Sequence, residues 1–168
     1  MKRLVVAGAV LGALCGCSPH PSTGQPADAC TLLPKRVAES ALDVKLGDPK
    51  SQAFGENPRQ AVISNCQYVA AAAQPVSQLT FTIRVGSVPE SSINPAETFI
   101  STMKQTFGQR YDLKKLTGLG DGAVWDGSLK QLTVFKGTST YVWTSPGATK
   151  PDLEDKLVSL AKQTMSKV

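Results

Sequence analysis

The chain has 168 residues, with 18 Lys and Arg against 13 Asp and Glu, for a formal charge of +5. That length suits one domain, and the mild basic surplus is scattered, apart from Lys114-Lys115, without the basic stripe that nucleic-acid binding needs. A zinc site would need further His or Cys ligands, and the only histidine, His20, falls in the proline-rich segment before the domain.

The N-terminus begins with Lys2 and Arg3 and runs from Leu4 to Leu14 without a polar side chain. This run is shorter than the roughly 20 apolar residues that span a bilayer, and it matches the apolar core of a secretory signal. Leu14-Cys15-Gly16-Cys17 closes it and resembles the bacterial lipobox, with Cys15 in the variable small-residue place. The resemblance implies a signal peptide over 1–16, cut before Cys17, whose thiol carries a diacylglyceryl group. Several acyl chains on that residue would anchor the protein to the membrane, each buried methylene contributing about 0.8 kcal/mol. Competing readings are an ordinary cleaved signal with a free Cys17, or cleavage before Cys15, where the large Leu14 fits poorly. Ser18 after the acylated Cys implies outer-membrane delivery if the host is Gram-negative. Without Lys2 and Arg3 the mature chain keeps 16 basic and 13 acidic side chains, a net +3.

Residues 17–29 read as the lipidated Cys and a tether. Three prolines and a glycine with almost no hydrophobic side chains cannot offset the entropy of ordering. Extended, this segment reaches on the order of 40 Å. Residues 30–168 read as a single domain. Leu33, Val37, Ala41 and Leu42 fall at helical spacing behind Pro34, and Gly47 with Asp48-Pro49 ends that element. Lys50 to Arg59 is polar, contains Gly55 and Pro58, and reads as a loop. Ala61 to Ala71 reads as a strand carrying Cys66, and Leu79, Phe81, Ile83 and Val85 alternate with polar residues as in a half-buried strand.

Asn94-Pro95-Ala96-Glu97 opens a second helix with a cap, a first-turn proline and an acid three places on. Ala96, Phe99, Ile100, Met103 and Phe107 line one face, and Gly108 ends it. Strands follow around Asp112 to Leu116, Ala123 to Asp126, Leu129 to Phe135 and Thr138 to Thr144, with Asp126-Gly127 and Lys136-Gly137 as hairpin signals. A third helix after Pro151 presents Leu153, Leu157, Leu160, Ala161 and Thr164, with Asp152, Glu154 and Asp155 at its positive end. This order predicts an α+β fold, one antiparallel sheet with about three helices packed mainly on one face.

Of four cysteines, Cys15 leaves with the signal and Cys17 is taken by lipid, so Cys30 and Cys66 remain. An even remainder in an exported chain reads as one disulfide, worth roughly 4 kcal/mol by loop entropy. Two buried free thiols and a shared metal are the competing readings.

Cys30-Thr-Leu-Leu-Pro, the second cysteine in Asn65-Cys66-Gln-Tyr68, and Gly118-Leu-Gly-Asp-Gly-Ala123 before a hairpin together resemble a family of small actinobacterial lipoproteins of unknown function. The resemblance runs from Cys30 to the C-terminus. It implies an envelope α+β domain with a disulfide and carries over no catalytic residues.

Gly118-Leu-Gly-Asp-Gly-Ala123 also fits the dinucleotide-binding glycine pattern, but that pattern needs a helix after it, and here a strand and turn follow, so a structural turn is expected. No cofactor is expected. A serine or cysteine nucleophile would need a base, and no His stands in the domain. No spacing marks a Ser/Lys dyad or a carboxylate pair, and Asp121 and Asp126 read as turn residues. Trp125, Tyr141 and Trp143, with Phe135, gather in the C-terminal strands as core filling or, if exposed, as a candidate binding face. The expectation is an exported protein, lipid-anchored to the cell envelope through Cys17, acting as a non-catalytic binding or assembly module for an envelope protein or polymer. The alternative is an envelope hydrolase with an unrecognised Ser/Lys or carboxylate site.

Overall fold

A computed structural model of the chain describes residues 27–54, 61–70, 74–86 and 93–168. The signal expected over 1–16, Cys17 and most of the expected tether lie outside the described residues. Among the described residues, four α-helices, α1 (Ala29–Leu32), α2 (Lys35–Leu42), α3 (Pro95–Phe107) and α4 (Leu153–Met165), accompany seven strands. The strands are β1 (Lys50–Phe54), β2 (Val62–Val69), β3 (Gln78–Val85), β4 (Leu113–Leu116), β5 (Gly122–Asp126), β6 (Gln131–Lys136) and β7 (Ser139–Thr144). They form one antiparallel sheet in the order β1-β2-β3-β7-β6-β5-β4, so the chain is α+β as expected.

Each ladder places directly opposed residues on the same face. The inner face therefore reads across the sheet as Cys66, Phe81, Trp143, Leu132 and Trp125 in one row. Ser64, Ile83, Tyr141, Val134 and Ala123 form the next. These side chains are buried, and Phe81 stacks on Trp143 with ring centroids 4.8 Å apart. Helix α4 closes this core with the residues its spacing predicts, since Leu153, Leu157, Leu160, Ala161 and Thr164 are all buried. It packs beside α2, while α1 sits on β2 and β3. Proline 34 breaks the first helical segment in two, ending α1 and standing as the N-cap of α2.

The folded body begins earlier than Cys30. The carboxylate of Asp28 accepts from the Thr31 N–H at 2.8 Å and from the Ser51 hydroxyl at 2.9 Å, capping α1. Ala29, expected in the tether, is fully buried and donates its N–H to the Ser64 hydroxyl at 2.9 Å.

A second correction concerns β1, whose residues were expected to lie in a loop. All five are exposed, so no apolar alternation marks the strand in the sequence. Its order comes from pairing with β2, Lys50 opposite Gln67 through Phe54 opposite Ile63.

Helix α3 departs from the other three by packing on the outer face, over β4, β5 and β6. There Ala96 meets Val124 and Phe135, joined by Phe99, Ile100 and Leu113. Close approach depends on Gly122, where a Cβ would lie 3.0 Å from the Cβ of Ala96. Strands β5 and β6 are buried on both sides for this reason. Expected to begin at Leu129, β6 instead starts at Gln131, because Asp126 Oδ1 holds the Ser128 and Leu129 N–H groups in the turn at 2.8 and 3.1 Å.

Candidate binding surface

Since α3 covers only the β4 to β6 end, the outer face of β2, β3 and β7 has no described helix over it. Strand alternation and register put two polar rows there. Asn65, Thr82 and Val142 form one, and Gln67, Thr80 and Thr144 form the other, which continues into Gln131 of β6. All of these are half-buried. The amides and hydroxyls order one another: Gln131 Nε2 donates to Thr133 Oγ1 at 3.2 Å, Thr144 Oγ1 donates to Gln131 Oε1 at 3.1 Å, and Gln78 Nε2 donates to Thr80 Oγ1 at 3.2 Å. In contrast, Asn65 Oδ1 is shielded from solvent and accepts no hydrogen bond among the described residues. A shielded acceptor left without a donor carries a desolvation cost of about 1–3 kcal/mol. These central positions offer neutral donors and acceptors, with charge at the ends of the rows, at Lys50, Arg84 and Asp126, whose carboxylate is engaged by the turn N–H groups.

The aromatic residues singled out in the sequence lie elsewhere. Trp125, Tyr141 and Trp143 project from the inner face and are 7%, 8% and 0% exposed. They fill the core, so they supply no solvent-facing platform, and the indole N–H of Trp143 has no partner among the described residues. Cys30 and Cys66 come together as expected, with Sγ atoms 2.06 Å apart and Cα atoms 5.0 Å apart, joining α1 to β2. Tyr68, two residues beyond Cys66, donates its hydroxyl to the Leu33 carbonyl. Burial pushes the Tyr68 phenol up to about 12, with a smaller contribution from the Asp28 charge.

Two open clefts flank the helical layer. One, of about 490 Å³ at the end of α2, is lined by Arg36, Glu39, Asp43, Lys45 and Gln74. Its polar atoms hold the backbone together: Glu39 Oε1 accepts from the Leu46 N–H, and the Gln74 amide both accepts from and donates to the Lys45 backbone at 2.9 Å. The other, of about 260 Å³, lies between the Gly118–Gly120 turn and the end of α4. There Lys136 donates to the Val168 carbonyl at 2.6 Å and the Ser166 hydroxyl donates to the Gln163 carbonyl at 2.9 Å, so both are engaged with the C-terminal turn. The Gly118–Ala123 segment is the turn expected of it, since Gly118 and Gly120 adopt φ of 76° and 53° and β5 follows directly. Asp121 and Asp126 are turn residues too, Asp121 accepting from the Gly137 N–H at 2.6 Å.

Among the described residues, no three His, Cys, Asp or Glu side chains gather in a group able to hold a metal. No described helix is long and apolar enough to cross a membrane. Comparison of the chain with family models, curated proteins and solved structures finds no match in any of the three.

The polar outer rows were not singled out in the sequence, although their signal was present. Thr80, Thr82 and Arg84 alternate with apolar residues in β3, as Thr140, Val142 and Thr144 alternate with Tyr141 and Trp143 in β7. Only the pairing of β3 with β7, distant in sequence, unites them into a surface.

Proposed function

We propose that the protein is an exported, lipid-anchored, non-catalytic binding module that uses the outer sheet face to hold a neutral, hydroxyl-bearing polymer of the cell envelope. The observation that carries this reading is the half of the outer face that no described helix covers, where amides and hydroxyls form two rows around Asn65 Oδ1, which has no partner among the described residues. A broad neutral field of this kind matches extended hydroxyl-rich chains better than a small charged substrate, which needs converging charges in an enclosed site. The anchor rests on Leu14-Cys15-Gly16-Cys17, and the resemblance of Cys30-Thr-Leu-Leu-Pro and Asn65-Cys66-Gln-Tyr68 to the motifs of small actinobacterial lipoproteins supports the same reading.

Asn65→Val tests the surface, because it removes the orphaned acceptor while suiting the strand better than Asn. The variant should melt at or above the wild-type temperature yet lose co-sedimentation with isolated insoluble envelope polymer. Retention equal to wild type would exclude this face as the binding surface. Time-dependent release of soluble fragments from the polymer would instead support the hydrolase alternative.

A further inference from the structure

The two edges of the sheet are built differently. At one, β4 carries Lys114 and Lys115 side by side, so an antiparallel copy centred there sets lysine against lysine. Both ammonium groups are also tied to helices on opposite faces, Lys114 to Glu154 of α4 at 2.7 Å and Lys115 to Glu97 of α3. That edge is guarded against pairing.

At the other edge, β1 has no proline, a single charged residue at its start, and all five side chains exposed. Its order, Lys50-Ser51-Gln52-Ala53-Phe54, is self-complementary about Gln52. Antiparallel to itself, Gln52 faces Gln52 of the second copy, Ser51 faces Ala53, and Lys50 faces Phe54. No like charges meet. The Lys50 ammonium and its stem would lie over the Phe54 ring, which is 54% exposed, in a favourable cation–π contact. The strand is also held in place from within, since Ser51 donates to the Asp28 carboxylate that caps α1.

We propose that β1 is a homotypic pairing edge, through which two copies of this chain join their sheets antiparallel about a two-fold axis at Gln52. The outer polar rows of the two copies then become one continuous surface, because opposed residues share a face. A five-residue strand pair buries less than the roughly 1,000 Å² expected of a stable soluble interface, so pairing is weak in dilute solution. Confinement to a membrane raises the effective concentration and favours it; this last step rests on the lipid-anchored reading.

The test uses the full chain purified from membranes and reconstituted in lipid vesicles, with self-association read by energy transfer between labelled copies. Gln52→Lys and Gln52→Glu should each lower association about two- to fivefold by opposing like charges, and an equal mixture of the two should restore it to at least the wild-type level. Wild-type association unaffected by either variant, or no recovery in the mixture, would overturn the proposal. So would the absence of energy transfer in protein that floats with the vesicles. Association that requires an added extended peptide would also overturn it, and would assign the edge to a different partner. Failure of every variant to float would sink the lipid anchor alone; sedimentation equilibrium at high protein concentration would then decide the pairing by the same charge pattern.

Discussion

Gly120 and Gly137 share nearly the same left-handed backbone, with φ of 53° and 56°, but differ in what stands beside them. A Cβ at Gly120 would come within 2.2 Å of the Phe135 carbonyl oxygen, whereas none at Gly137 meets an atom within 4 Å. Gly137→Ala should therefore cost only the backbone penalty of about 1–2 kcal/mol, while Gly120→Ala should cost about 3 kcal/mol or more because the β6 backbone must shift. Denaturant unfolding of both variants measures the difference, and equal losses would contradict the close approach. Tyr68 gives a pH signature of the same core. Its folded pKa, pushed up to about 12, exceeds the ordinary value of 10.0, so between these limits the folded state binds more protons than the unfolded state. Its contribution is complete below about pH 10 and is lost as pH rises towards 12. Tyr68→Phe should lower stability at neutral pH by removing the hydrogen bond to Leu33, yet show a shallower decline from pH 10 upward. Identical slopes in melting temperature against pH would refute the buried phenol. The Asp28 carboxyl is shifted the other way, its pKa lowered chiefly by the Thr31 backbone N–H. Its smaller, exposed contribution is present above the unfolded pKa and disappears as pH falls through the folded one.

Among the elements, those with a buried face were legible and β1, which has none, was not. Helix α4 shows its core stripe at helical spacing, and β3 shows strict alternation, so both were placed from residue type alone. Strand β1 has no buried side to alternate, and only the ladder to β2 makes it a strand. The outer position of α3 was hidden for a related reason: its apolar face is an ordinary one, and the choice between sheet faces depends on which side of β5 and β6 presents Val124 and Phe135. The candidate surface was out of reach in the same way, since it joins strands far apart in sequence. The cysteine arithmetic did reach a tertiary contact, because Cys30 and Cys66 staple α1 to β2 across 36 positions. Replacing both by Ser should lower stability by about 2–5 kcal/mol, and alkylation of the wild type without reductant should modify neither. An unchanged melting temperature in the double variant would show that the Ala29 to Ser64 hydrogen bond and core burial suffice to hold α1.

At the scale of the whole molecule, the sheet divides the labour between its faces. The inner face holds the aromatic core under α1, α2 and α4, while the outer face keeps α3 at one end and the polar rows at the other. The chain enters this body at Asp28, beside β1, so the proposed lipid at Cys17 would hold the proposed pairing edge near the membrane, within a reach on the order of 40 Å. All of this gains its functional meaning from the lipid anchor proposed at Cys17. Labelling of growing cells with a radioactive fatty acid, together with mass analysis of the purified protein, tests that anchor most directly. The mature chain should begin at Cys17 and carry the label, and Cys17→Ala should lose it. Undiminished labelling of Cys17→Ala, or a mature N-terminus elsewhere, would contradict the lipid-anchored reading.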